Sequence, residues 1–274
     1  MTGRVNVEPT IEPDGGKIKA RKKVPKKQGW KLFLSVVIML MWVAVSVIAS
    51  QLVVGYLMIW IMGAETFVQP VPTAVYSALS YVLAMVLVIW VPAAISKRNI
   101  KCKKKTELVN RRTLGLHGWP TWTDIGLAPV GYIIYIILAA GLVALFSLFP
   151  WLDAGEVQDV GFSYYISGAD RLVAFVTLVV VAPIAEEVIF RGWLYGKMRE
   201  KIAAEYSNVA SMIISSLLVS ILFGLVHMQW NVGVNVFALS LVLCGLREVT
   251  GTIYAGILLH MLKNGVAFWL LYMM

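Results

Sequence analysis

Ala185-Glu186-Glu187-Val188-Ile189-Phe190-Arg191-Gly192 puts two adjacent carboxylates and a guanidinium at the end of a long apolar run that opens near Leu172. A charge near the middle of a bilayer costs roughly 2.5–3.5 kcal/mol. Such a trio persists there only if it faces a protein interior and finds partners. Two more polar constellations lie on later apolar segments, Phe223-Gly224-Leu225-Val226-His227 and His260-Met261-Leu262-Lys263-Asn264. Neighbouring helix positions point about 100° apart, whereas positions four apart share a face. Glu187 is therefore expected to pair with Arg191, leaving Glu186 free to point into a cavity, where a carboxylate can act as general base. A plain Glu–Arg clasp between helices explains the same residues. His227 shares a face with Phe223, and Gly224 lets another helix approach; the histidine is either a packing residue or a functional one. His260 and Asn264, also four apart, present two hydrogen-bond donors on one face. Convergent donors suit an oxyanion in a dry site, and an interhelical contact worth about 0.6–2 kcal/mol is the alternative. Lys263 either snorkels or meets a substrate carboxylate.

The elements that must position these groups are membrane helices. Of the 274 residues, 59% are hydrophobic and 14% charged, against about 45–50% and about 25% in soluble domains. The apolar runs are continuous rather than alternating, which excludes a barrel and points to an all-α, polytopic transmembrane helix bundle. The net charge of +9 is gathered in Lys17–Lys31 and Lys97–Arg112. Both clusters flank apolar runs, as basic cytoplasmic loops do, so the basic balance means topology and anionic lipid rather than nucleic acid. Cys102 and Cys244 form no disulfide or metal motif.

About seven spans are expected. Residues 1–31 read as a disordered basic cytoplasmic tail. Residues 32–120 hold two spans, about Leu32–Met62 and Ala74–Ile95, and a basic loop. Gln51, interrupting the first span, is expected to make an interhelical hydrogen bond. The stretch Thr121–Leu127 reads as a helix lying at the interface, with Trp119 and Trp122 at headgroup depth, and His117 as an exposed loop histidine. Residues 121–274 form the core, with spans near 130–150, 172–195, 209–228, 232–249 and 252–274. The link with Asp153, Glu156 and Asp159 is outside; the link with Lys197, Arg199 and Lys201 is inside. This makes an integral, multi-pass protein of a prokaryotic plasma membrane with a cytoplasmic N-terminus.

Together the motifs Glu-Glu-x-x-x-Arg, Phe-x-x-x-His and His-x-x-x-Asn on successive spans resemble the CAAX-protease and bacteriocin-processing family, the type II CAAX prenyl endopeptidases and their bacterial relatives. The resemblance covers about Thr121 to Asn264. It implies an intramembrane endopeptidase of the glutamate type, in which Glu186 activates water assisted by His227, His260 and Asn264 form the oxyanion hole, and Glu187 and Arg191 hold the helix. It further implies a lipidated or hydrophobic peptide substrate, and work in CAAX-type processing or in bacteriocin maturation and immunity. Family members are often labelled metalloproteases. Glu186, His227 and His260 could make a zinc site, but the metal-free scheme also uses Asn264, an improbable zinc ligand, and is preferred. Other classes remain: a non-catalytic scaffold or immunity protein glued by these polar residues, and a proton-coupled transporter, weakened by the lack of repeats.

One geometric difficulty follows from these spans. With the fourth helix ending at Tyr195, Glu186 lies about 15 Å deep at about 1.5 Å per residue, while His227, at the far end of its span, lies deeper. Either the fifth helix starts late or tilts, or the fourth is longer on the inner side; the first is expected, with the fifth helix beginning nearer Ser211 than Asn208.

Overall fold

Long apolar stretches in a bilayer have only their own backbone to hydrogen-bond to, so they wind into helices. The computed structural model describes residues 26–98, 111–149 and 168–274, and within them every regular element is helical. Seven helices are long and apolar enough to cross a membrane: α1 (Gly29–Met62), α2 (Pro70–Ile95), α3 (Trp122–Phe146), α4 (Gly168–Ala203), α5 (Asn208–Leu225), α6 (Trp230–Thr250) and α7 (Tyr254–Tyr272). The chain is an all-α polytopic membrane protein. Most of the proposed tail, the middle of the basic loop and the acidic link with Asp153, Glu156 and Asp159 lie outside the described residues. The helix containing α1 starts at Lys26, inside the stretch assigned to the tail.

Helix α4 organises the bundle, packing against α1, α2, α5, α6 and α7. One apolar cluster joins α4 to α1, α2, α5 and α6 around Leu194, Met198, Val219 and Phe223. A second, with Tyr135, Leu239, Leu243 and Leu259, joins α3, α6 and α7. Glycines set one close approach and one turn. A Cβ on Gly224 would stand 2.9 Å from the carbonyl oxygen of Gly233, so α5 and α6 touch backbone to backbone just below His227. Gly251, at φ +71°, makes the left-handed turn that reverses α6 into α7.

Three expectations are corrected. Thr121–Leu127 is not a separate interfacial helix. Thr121 and Asp124 form a reciprocal capping box that starts α3 at Trp122, and the helix continues through Pro129 to Phe146. Among the described residues Gln51 makes no interhelical hydrogen bond; it lines a cavity between α1, α2, α4 and α5. Finally, α5 does not start late. Ser207 caps it and it begins at Asn208. Instead α4 runs past Tyr195 to Ala203, so Glu186 precedes the α4 terminus by seventeen residues while His227 follows the α5 start by nineteen. The two side chains are level because the fourth helix is longer, not because the fifth is shorter.

Candidate active site

The backbone of α4 departs from regular α-winding on both sides of the carboxylates. Val176–Val181 and Glu187–Tyr195 are π-helical, with a short α-helical piece, Ala182–Glu186, between them. Wider turns of this kind re-aim side chains and recur at functional sites. Glu187 and Arg191 share a face and are both fully buried, with Arg191 Nη1 donating to Glu187 Oε1 at 2.9 Å. The guanidinium also lies 4.4 Å over the Phe223 ring of α5, which gives the buried cation a second partner. Gly256 of α7 opens room for the carboxylate: a Cβ there would be 3.1 Å from Glu187 Oε2.

His260 of α7 stands between the two glutamates. Its Nδ1 is 3.1 Å from Glu187 Oε1 and its Nε2 is 3.7 Å from Glu186 Oε2, and the ring is 4% exposed. With Nδ1–H donated to Glu187, Nε2 is the ring atom that faces Glu186. His227 sits just past the C-terminus of α5, where Met228 at φ +59° turns the chain towards α6. Its Nδ1–H donates to the Phe223 carbonyl at 2.7 Å, which leaves Nε2 as the acceptor in the neutral ring. Phe223 stands edge-on to His227 and to His260, with ring centroids 5.0 and 6.0 Å apart. One aromatic ring thus spaces both histidines and carries the arginine. Glu186 and His227 line the same cavity of about 170 Å³.

Three motifs on three helices therefore meet at one place. Residues 168–266, which contain all three, match the family model described as type II CAAX prenyl endopeptidase Rce1-like. This is an Rce1-like segment. The matched family is the one that the three motifs resemble, and the match spans 99 of the 274 residues. No curated protein and no solved structure matches the chain.

The Rce1-like segment does not complete the site by itself. Tyr81 of α2 donates its hydroxyl to Glu186 Oε1 at 2.6 Å and lines the same cavity, as do Ser77 and Ser80. Tyr81 escaped the sequence reading because a tyrosine in an apolar span looks like packing. The available signal was the cluster Ser77, Ser80 and Tyr81 on one face of an otherwise apolar helix. The hydroxyl holds Oε1 and leaves Oε2 towards His260. If Glu186 acts on water, Tyr81→Phe is expected to keep the fold and lower kcat about ten-fold with KM little changed, since it frees the rotamer of the Glu186 carboxylate. Steady-state kinetics beside thermal unfolding of the purified variant checks this.

Asn264 departs from the simplest expectation of two convergent donors. Its Nδ2 donates to the carbonyl of Leu178 on α4 at 2.9 Å. That carbonyl sits in the π-helical stretch, and the amide retains a second N–H. Zinc was the alternative for this site. Among the described residues no three His, Cys, Asp or Glu side chains gather as metal ligands. The Nδ1 hydrogen bonds of His227 and His260 leave both Nε2 atoms available and so do not bear against a metal. It is the missing three-ligand group among the described residues that does not fit a zinc centre as the side chains are placed, and no step below is routed through one.

Proposed function

We propose that the protein is a CAAX-type intramembrane endopeptidase of the glutamate type. The observation that carries this is the placement of Glu186: one carboxylate oxygen is held by Tyr81, the other stands 3.7 Å from His260, and the group opens onto a cavity shared with His227. Water in that cavity gives up a proton to Glu186, with His227 Nε2 as a second acceptor, and attacks the scissile carbonyl. His260, carrying a proton on both ring nitrogens between the two carboxylates, donates through Nε2–H and, with the free N–H of Asn264, stabilises the oxyanion that forms. Glu186 then returns the proton to the leaving amine. Glu187 and Arg191 hold α4 and His260 in place. The substrate is a lipidated or otherwise hydrophobic chain that enters laterally from the bilayer, and the cut falls towards the cytoplasmic face, where Lys197, Arg199 and Lys201 mark the inner end of α4.

The test compares C-termini and released peptides in cells carrying the wild-type chain with those carrying Glu186→Ala. Shortened C-termini that disappear with Glu186→Ala support the reading, and their sequences distinguish CAAX-type trimming from maturation of internal peptides. Identical C-termini in both strains reduce the protein to a scaffold. Dialysis of the purified enzyme against chelator is expected to leave its activity intact; loss of activity that zinc restores would reverse the metal-free mechanism.

A further inference from the structure

Apart from Glu186 and His227, every polar residue lining their shared cavity comes from α1 and α2, outside the matched segment. Ser50 and Gln51 stand on α1; Tyr76, Ser77 and Ser80 stand on α2 beside Tyr81. On α2 the small hydroxyls follow one face, Thr73, Ser77 and Ser80 succeeding one another at steps of four and three. A polar group inside a bilayer costs free energy unless it finds a hydrogen bond. Ser50 and Ser77 donate back to carbonyls of their own helices, Val47 at 2.7 Å and Thr73 at 3.0 Å, as serines in apolar helices often do. Ser80 and Gln51 are not satisfied in this way. Ser80 Oγ, buried beside the Tyr76 hydroxyl, has no well-formed hydrogen bond among the described residues. Gln51 has none either, and it is exposed.

These groups lie towards one end of the bundle. Gln51 precedes the end of α1 by eleven residues and Ser77 follows the start of α2 by seven, so they lie about 16 and about 10 Å in from the α1–α2 turn at about 1.5 Å per residue. Successive spans alternate in direction, so the α5–α6 turn that carries His227 is at the same end. Lys197, Arg199 and Lys201 and the basic loop after α2 are at the other. We propose that α1 and α2 form a water conduit that supplies Glu186 from the end of the bundle opposite the basic residues, the outer face by the charge rule. The cavity of about 170 Å³ has room for several waters, and Ser80 Oγ and the Gln51 amide give them partners. The use of the conduit rests on the endopeptidase reading above. Each hydrolysis consumes one water, its hydroxyl going to the scissile carbonyl carbon and its proton to the leaving amine. A hydrophobic chain entering laterally from the bilayer brings no water with it, so the next one arrives along α1 and α2. Gln51, Ser77 and Ser80 guide water and touch no reacting atom.

The experiment reads water exposure from each side of the membrane. Gln51→Cys, Ser77→Cys and Leu79→Cys are made in the full-length chain. Right-side-out and inverted vesicles are treated with a membrane-impermeant cationic methanethiosulfonate, and the adduct is weighed on the purified protein. The reagent takes the thiolate, and a thiol in apolar surroundings stays protonated. Leu79 is exposed on the other face of α2 and is the lipid-facing control. Cys102 in the basic loop marks the cytoplasmic side, and Cys244 is buried. In right-side-out vesicles Gln51→Cys and Ser77→Cys are expected to react at least about ten-fold faster than Leu79→Cys. Labelled Gln51→Cys is expected to lose cleavage of a farnesylated peptide and to regain it when a reductant removes the adduct. Equal rates at the three positions overturn the proposal, as does reaction only from the side on which Cys102 reacts. Full cleavage by completely labelled Gln51→Cys also overturns it, because water then reaches Glu186 by another way. If Ser77→Cys does not accumulate, Gln51→Cys decides alone, since its exposed side chain holds no other helix. If labelling follows the expected pattern while the wild type cuts no peptide, the conduit stands and the endopeptidase reading falls.

Discussion

Glu186→Gln is expected to lower kcat by about 10³-fold while leaving the fold intact. Removal of a positioned general base costs on the order of 10²–10⁴ in rate, and about 10³ corresponds to roughly 4 kcal/mol at the transition state. The amide keeps the shape of the carboxylate, can still accept from the Tyr81 hydroxyl and still lines the cavity, but it cannot take a proton from water. Thermal unfolding should therefore coincide with that of the wild type, and KM should change far less than kcat. Single-turnover measurements on purified protein would show it. A Glu186→Gln enzyme that retains even a tenth of its activity would remove Glu186 from the chemistry.

Its neighbour should behave in the opposite way. Glu187 is fully buried, accepts from Arg191 and is 3.1 Å from His260. Glu187→Ala leaves the Arg191 charge without its partner in a dry interior. Breaking one side of a buried pair costs about 3–5 kcal/mol, so the midpoint of thermal unfolding should fall well below the wild type's, and activity should fall with it as His260 loses its anchor. The double variant Glu187→Leu/Arg191→Met is expected to recover much of that stability, since removal of both charges strands neither. Unfolding in detergent, read for the two singles and the double, measures the coupling. Adjacent glutamates that fail in different ways, one by rate and one by stability, separate an active site from a helix clasp.

The pairing of Glu187 with Arg191 was legible because both ends lie on one helix, four positions apart, and the spacing survives even where the helix is wound as π. The close approach at Gly224 was also readable, since only hydrogen is tolerated there against Gly233. What escaped were relations between helices. Tyr81 is 105 residues from Glu186 in the chain, and no periodicity links them. The engagement of Asn264 with the Leu178 carbonyl depends on how α4 is wound opposite α7. The levelling of Glu186 with His227 turned on where α4 ends, and the charged residues Lys197, Arg199, Glu200 and Lys201 suggested an end too early. In the folded chain α4 continues because Arg199 is tied to Glu248 of α6 at 2.9 Å and to Ser211 of α5, and Tyr195 donates to the same Glu248 at 2.7 Å.

The amino-acid order alone determined that this chain crosses the membrane as helices, and which polar residues had to be taken out of lipid. Both follow from properties local to a segment: apolar length, the absence of charge, and the angle between neighbouring side chains. The tertiary structure decided which of those residues share a cavity, which carbonyl or hydroxyl occupies each of them, and that α2 supplies a hydroxyl to a carboxylate on α4. Those relations are set by the packing of helices far apart in the chain, where a few ångströms of axial shift choose between a hydrogen bond and none.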